Sequence, residues 1–111
     1  MSRAAIAAAA LALGGCALLD PARGPPTPAE RGHAVAQRAC AACHAIEPGG
    51  VSPRPPAPAF GGSEMRHTAG IENRVADLTR LGHYGMPPVK LTPAEVADLV
   101  AYIETAGPKG Q

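Results

Sequence analysis

The sequence predicts an all-α domain, and three observations lead there. Apolar residues recur at helical spacing in two stretches, Ile71, Val75 and Leu78, then Val96, Leu99, Val100 and Ile103. The tetrapeptide Thr-Pro-Ala-Glu occurs twice, at 27–30 and at 92–95, and each copy has the form of a helix start. Nothing alternates with a period of two over a useful length, so no strand is expected.

The elements follow in order. Thr27 is placed to cap a first helix, with Pro28 at the first helical position and Glu30 at the third. The hydroxyl can accept from a free backbone N–H while the carboxylate reaches back, and proline costs no hydrogen bond there. This helix should run to about Ala42. From Pro48 to Pro58 five prolines and two glycines exclude regular structure. The helix carrying Ile71, Val75 and Leu78 should end at Gly82. The last helix should run from Pro93 to about Ala106, with Leu91 and Val96 placed for a hydrophobic staple.

The segment upstream of Thr27 belongs to something else. Met1, Ser2 and Arg3 precede an apolar run from Ala4 to Leu13 and two glycines. The run is shorter than the roughly 20 apolar residues that span a bilayer, and it suits an export signal over 1–15. Leu13-Gly14-Gly15-Cys16 resembles the lipobox of bacterial lipoproteins, which implies acylation of Cys16. Ordinary cleavage would instead leave Cys16 in or near the discarded piece. Residues 16–26, with Pro21, Gly24, Pro25 and Pro26, read as a semi-extended tether. The domain is then 27–107, followed by a tail over 108–111.

Charge and cysteine content narrow the chemistry. Without Arg3, nine basic residues face nine acidic ones, and no polybasic run exists, so nucleic acid is not an expected partner. One Phe, two Tyr and no Trp make a thin core, of the kind that needs a staple or a cofactor. With Cys16 acylated, only Cys40 and Cys43 remain, and after export they would pair or be consumed by a cofactor.

Cys40-Ala41-Ala42-Cys43-His44 is the C-x-x-C-H pattern of covalent haem attachment. Two thiols at this spacing can add to two vinyl groups on adjacent pyrroles, and the following imidazole can then bind iron. A thioredoxin-like dithiol would expect a flanking βαβ pattern, which is not visible. A structural zinc site would need four ligands, and there is no second cysteine pair; His33 and the other histidines match no familiar zinc spacing.

Over about Thr27 to Gly107 the chain resembles the class I cytochromes c. Gly32 stands eight residues before the first haem cysteine, where the family has a glycine, and Leu99 and Tyr102 match its Leu-x-x-Tyr-like pair. The resemblance implies a cytochrome c-like fold of three or more helices packed around one covalently bound haem c. It implies that Gly32 lets the last helix cross closely. Pro58-Ala59-Phe60 is similar to the family's segment whose proline carbonyl accepts from the ligand histidine, which makes Pro58 a support for His44 as proximal iron ligand. One position departs: four residues after Gly32, where an aromatic side chain is common, stands Ala36. That implies a less tightly filled crossing.

Gly85-Met86-Pro87-Pro88 lies where the family carries its distal methionine. A thioether favours ferrous iron, and the two prolines stiffen the segment. The other reading of Met86 is a loop hydrophobe over the core. His83 is the alternative distal ligand, with Met65 and His67 as further candidates, and Tyr84 lies near enough in sequence to reach a haem propionate. With both axial sites filled, the resemblance implies a carrier of single electrons rather than an enzyme. Its expected partners are redox proteins, a respiratory complex or a periplasmic dehydrogenase, met as a monomer on the periplasmic side of a membrane. Ala17 after Cys16 favours the outer membrane. Two other functions compete. One is a haem sensor or gas binder with an open or displaceable distal site, and the other is the cytochrome subunit of a larger dehydrogenase.

Overall fold

The computed structural model describes residues 23–66, 69–83 and 85–107. Cys16, the export signal, most of the tether, His67, Tyr84 and the tail over 108–111 lie outside the described residues. Four helices form: α1 (Pro28–Ala39), α2 (Ser63–Arg66), α3 (Ile71–Leu81) and α4 (Pro93–Thr105). No strand occurs among the described residues, where the only bridge is an isolated one between His83 and Met86. The all-α class follows as expected. Among the described residues no helix is long and apolar enough to cross a membrane.

Both Thr-Pro-Ala-Glu segments start helices through complete capping boxes. The Glu30 N–H donates to the Thr27 hydroxyl at 3.2 Å while the Thr27 N–H donates to Glu30 Oε2 at 2.8 Å. The same two distances recur at Thr92 and Glu95. Thr92→Ala is expected to cost about 1 kcal/mol, seen as a lower urea midpoint with an unchanged slope. The backbone N–H of the capping threonine is the main cause holding the Glu30 and Glu95 carboxyls below their ordinary range; at Glu95 the Arg38 guanidinium adds to it. A depressed carboxyl contributes stability above its unfolded pKa, about 4.3 for glutamate, and loses it as pH falls through the folded value. Stability should therefore decline as the pH drops below about 4, and Glu95→Gln should flatten part of that decline. Superimposable acid limbs for the two proteins would rule out the box as the origin.

α1 and α4 pack across each other at Gly32, which is buried. A Cβ there would lie 1.9 Å from the Asp98 carbonyl oxygen and 2.8 Å from Tyr102 Cβ, so the backbones approach more closely than any side chain permits. Charged groups line the crossing. Arg31 grips Asp98 with two parallel hydrogen bonds of 2.8 Å and caps the Pro26 carbonyl at 2.7 Å. Arg38 pairs with Glu95. The expected stripe on α4 is the core face, with Val96, Leu99, Val100 and Ile103 all buried and Leu91 half-buried against the cluster. Ala36 is wholly buried. The crossing is therefore closed at this position without an aromatic ring, because the small methyl suits the close approach set by Gly32.

α1 is shorter than the expected run to Ala42. It ends at Ala39, because the Ala36 carbonyl accepts from both Cys40 N–H (2.9 Å) and Ala41 N–H (3.0 Å), which turns the chain out of the helix. α3 ends as expected at Gly82, whose φ of +66° is open to glycine at little cost. The short α2 was not visible in the sequence, since one turn offers no periodicity to read.

Candidate haem site

The turn that follows α1 is compact. Cys43 N–H donates to the Cys40 carbonyl at 3.1 Å, and His44 N–H donates to the same oxygen at 2.9 Å. Cys40 and Cys43 are not joined in a disulfide, and both are half-buried, as is His44. Burial pushes the Cys40 thiol above its ordinary pKa, against a smaller opposite pull from Arg38.

His44 Nδ1 lies 2.7 Å from the Pro58 carbonyl oxygen. A carbonyl only accepts, so the proton sits on Nδ1 and the lone pair on Nε2. The Phe60 ring stands 5.5 Å from the His44 ring at a tilt of 50°. Phe60 is buried and is held by its N–H donating to the Ala45 carbonyl at 2.9 Å. The loop between them is tied by Ala45 N–H to the Ser52 hydroxyl at 3.0 Å. Behind it Tyr102 donates to the Ile46 carbonyl at 2.7 Å. Burial first, then the Glu47 carboxylate, pushes the Tyr102 hydroxyl above the ordinary phenol range and keeps it a donor.

Met86 is half-buried on a separate loop. Met86 N–H donates to the His83 carbonyl at 2.6 Å, and His83 N–H returns a bond of 3.0 Å to the Met86 carbonyl. Val89 N–H anchors the far side of the loop on the Thr79 carbonyl at 2.7 Å. His83 is exposed, whereas Met65 is half-buried against the core. His33 is engaged elsewhere, with Nε2 2.5 Å from Glu47 Oε1 and its ring 4.8 Å from that of Tyr102. Among the described residues no group of three or more His, Cys, Asp and Glu is arranged to hold a metal ion by itself.

One turn thus brings together two thiols and an imidazole whose Nε2 is left for a metal, and one loop carries a thioether. A family model described as cytochrome c oxidase, cbb3-type, subunit III matches residues 27–103. The chain belongs to this family. It is a c-type cytochrome, an electron-transfer haem protein whose haem c is held covalently and which works outside the cytoplasm. Searches of curated proteins and of solved structures returned no match. The donor set of this cytochrome fits the group, since half-buried thiols and an oriented imidazole are what covalent attachment and iron ligation require. Two contacts of the site are not legible in the sequence. Phe60 lay in the proline segment, but its contact with His44 is a tertiary one. Arg54 donates from Nη1 to the Gly85 carbonyl at 2.8 Å, and no spacing in the sequence signals it.

Proposed function

We propose that this cytochrome carries single electrons through one haem, with Cys40 and Cys43 as the thioether attachments and His44 and Met86 as the two axial ligands. The hydrogen bond from His44 Nδ1 to the Pro58 carbonyl carries the reading, because it presets the tautomer and plane of a ligand imidazole. The haem supplies an iron that gains or loses one electron. The chain's own residues would keep His44 oriented through Pro58, pack Phe60 beside its ring and offer a soft sulfur from Met86. With His44 and Met86 both holding the iron, outer-sphere transfer would be the chemistry left. The domain is proposed as 27–107, with 1–15 an export signal, 16–26 a tether from acylated Cys16, and 108–111 a tail. The lipid would hold it at the periplasmic face of a membrane, with the outer membrane favoured. Near-balanced charge leaves partner choice to short-range contact rather than long-range steering.

The description of the matched family also favours a second form of this reading, in which the chain is a subunit of a respiratory complex rather than a free carrier. Copurification of further polypeptides from membranes would distinguish the two.

The first test is an absorption spectrum of the protein matured with haem-attachment machinery, in both oxidation states. A c-haem spectrum with the weak far-red ferric band of sulfur–iron ligation is expected, and Met86→Ala should abolish that band and lower the reduction potential. If the wild type carries a c-haem spectrum without that band, and His83→Ala rather than Met86→Ala alters the spectrum, the distal assignment passes to His83. Ready binding of carbon monoxide by the wild type would indicate a sensor, and absence of covalent haem would overturn the proposal.

A further inference from the structure

The geometry points to Arg54 as the residue that positions Met86 over the haem, an inference that rests on Met86 being the second axial ligand. Two ligands on different loops serve one iron only if those loops keep a fixed relation. Two ties of the Met86 loop lead back to α3, through Gly82 N–H to the Leu78 carbonyl at 2.9 Å and Val89 N–H to the Thr79 carbonyl. Arg54 leads to the other ligand. Its own N–H donates to the Cys43 carbonyl at 3.2 Å, next to His44, while its Nη1 donates to the Gly85 carbonyl at 2.8 Å. A single residue therefore spans from the attachment turn to the residue before Met86.

The bond falls on a sensitive peptide unit. The carbonyl of Gly85 and the N–H of Met86 belong to one plane. Arg54 holds the oxygen of that plane, and the His83 carbonyl holds its N–H at 2.6 Å. Gly85, at φ +77°, and Gly82, at φ +66°, flank the segment, and glycine offers little resistance to rotation. Without the guanidinium, the plane keeps its local partner but loses its link to the turn. A guanidinium suits this task, because it donates while its charge stays in water, and Arg54 is exposed.

Arg54→Ala, Arg54→Lys and, as a charge control on α3, Arg74→Ala should be matured with haem and compared with Met86→Ala. Arg54→Ala should raise the affinity of the ferrous protein for carbon monoxide about three- to tenfold, the weight of one hydrogen bond. Its far-red ferric band should fade at a temperature below that of global unfolding. Arg54→Lys should recover part of the loss, and Arg74→Ala should match the wild type. If Arg54→Ala fails to take up haem, Arg54→Gln, which keeps the stem of the side chain, carries the same test. A wild type that has the band, loses it in Met86→Ala and keeps it unchanged in Arg54→Ala overturns the role of Arg54 alone. A wild type without the band overturns the Met86 assignment, and Arg54 with it.

Discussion

Gly32→Ala is expected to cost about 3 kcal/mol or more, the upper end of what overpacking does in a core. The new methyl would sit 1.9 Å from the Asp98 carbonyl oxygen and 2.5 Å from its carbon. Both are backbone atoms of α4, so no rotamer change relieves the contact. α4 would have to withdraw, and Arg31 would lose its paired grip on Asp98 as it did so. Domains of this size commonly hold only about 5–15 kcal/mol in all, so the variant should be largely unfolded well before the wild type in a urea titration followed by helical circular dichroism. Gly24→Ala supplies the comparison, since nothing lies within 4 Å of a Cβ there. Equal midpoints for Gly32→Ala and Gly24→Ala would show that the helices can separate at no cost.

Phe60→Ala should produce a loss of comparable size, about 3–5 kcal/mol for a buried aromatic ring. Phe60 is only 2% exposed and joins α4 residues in the core while facing the His44 ring. Two effects are therefore expected together, a lower unfolding midpoint and a smaller fraction of chains carrying haem. Phe60→Leu separates them. It keeps most of the volume, so its stability cost should stay below about 1.5 kcal/mol, but it removes the aromatic contact with the imidazole. If Phe60→Leu takes up haem and holds its far-red band as the wild type does, Phe60 acts on the fold and not on His44.

The legible parts of this cytochrome are the local ones. A capping box needs only residues three apart, so Thr27 with Glu30 and Thr92 with Glu95 could be read directly, as could the C-x-x-C-H turn and the stripe from Val96 to Ile103. Gly32 was readable through family resemblance, and not from the residues around it, because a close crossing depends on a partner 66 positions away. α1 ends three residues before the sequence alone predicts. Ala41 and Ala42 are good helix formers, and what stops the helix is a second N–H claiming the Ala36 carbonyl. The long-range ion pairs, Arg31 with Asp98 and Arg38 with Glu95, leave no periodic trace. Arg54 is the clearest case. In sequence it is one more residue among prolines, and only the folded chain sets its guanidinium against Gly85.

The crossing of the first and last helices has a consequence for the order in which the chain acquires structure. Arg31 and Asp98 are 67 residues apart, and Ile46 and Tyr102 are 56 apart. The domain is a loop of chain clasped at its two ends, and the entropy of that closure must be met before the contacts reward it. Until α4 docks, α1 is a lone twelve-residue helix, at the short limit of what persists in water. Cys40 and Cys43 then sit at the frayed end of an unsupported segment, with the Tyr102 hydroxyl not yet bound to Ile46. In the closed domain Cys40 and Cys43 are half-buried, so a chain with its clasp open would offer both thiols more fully than the folded one does.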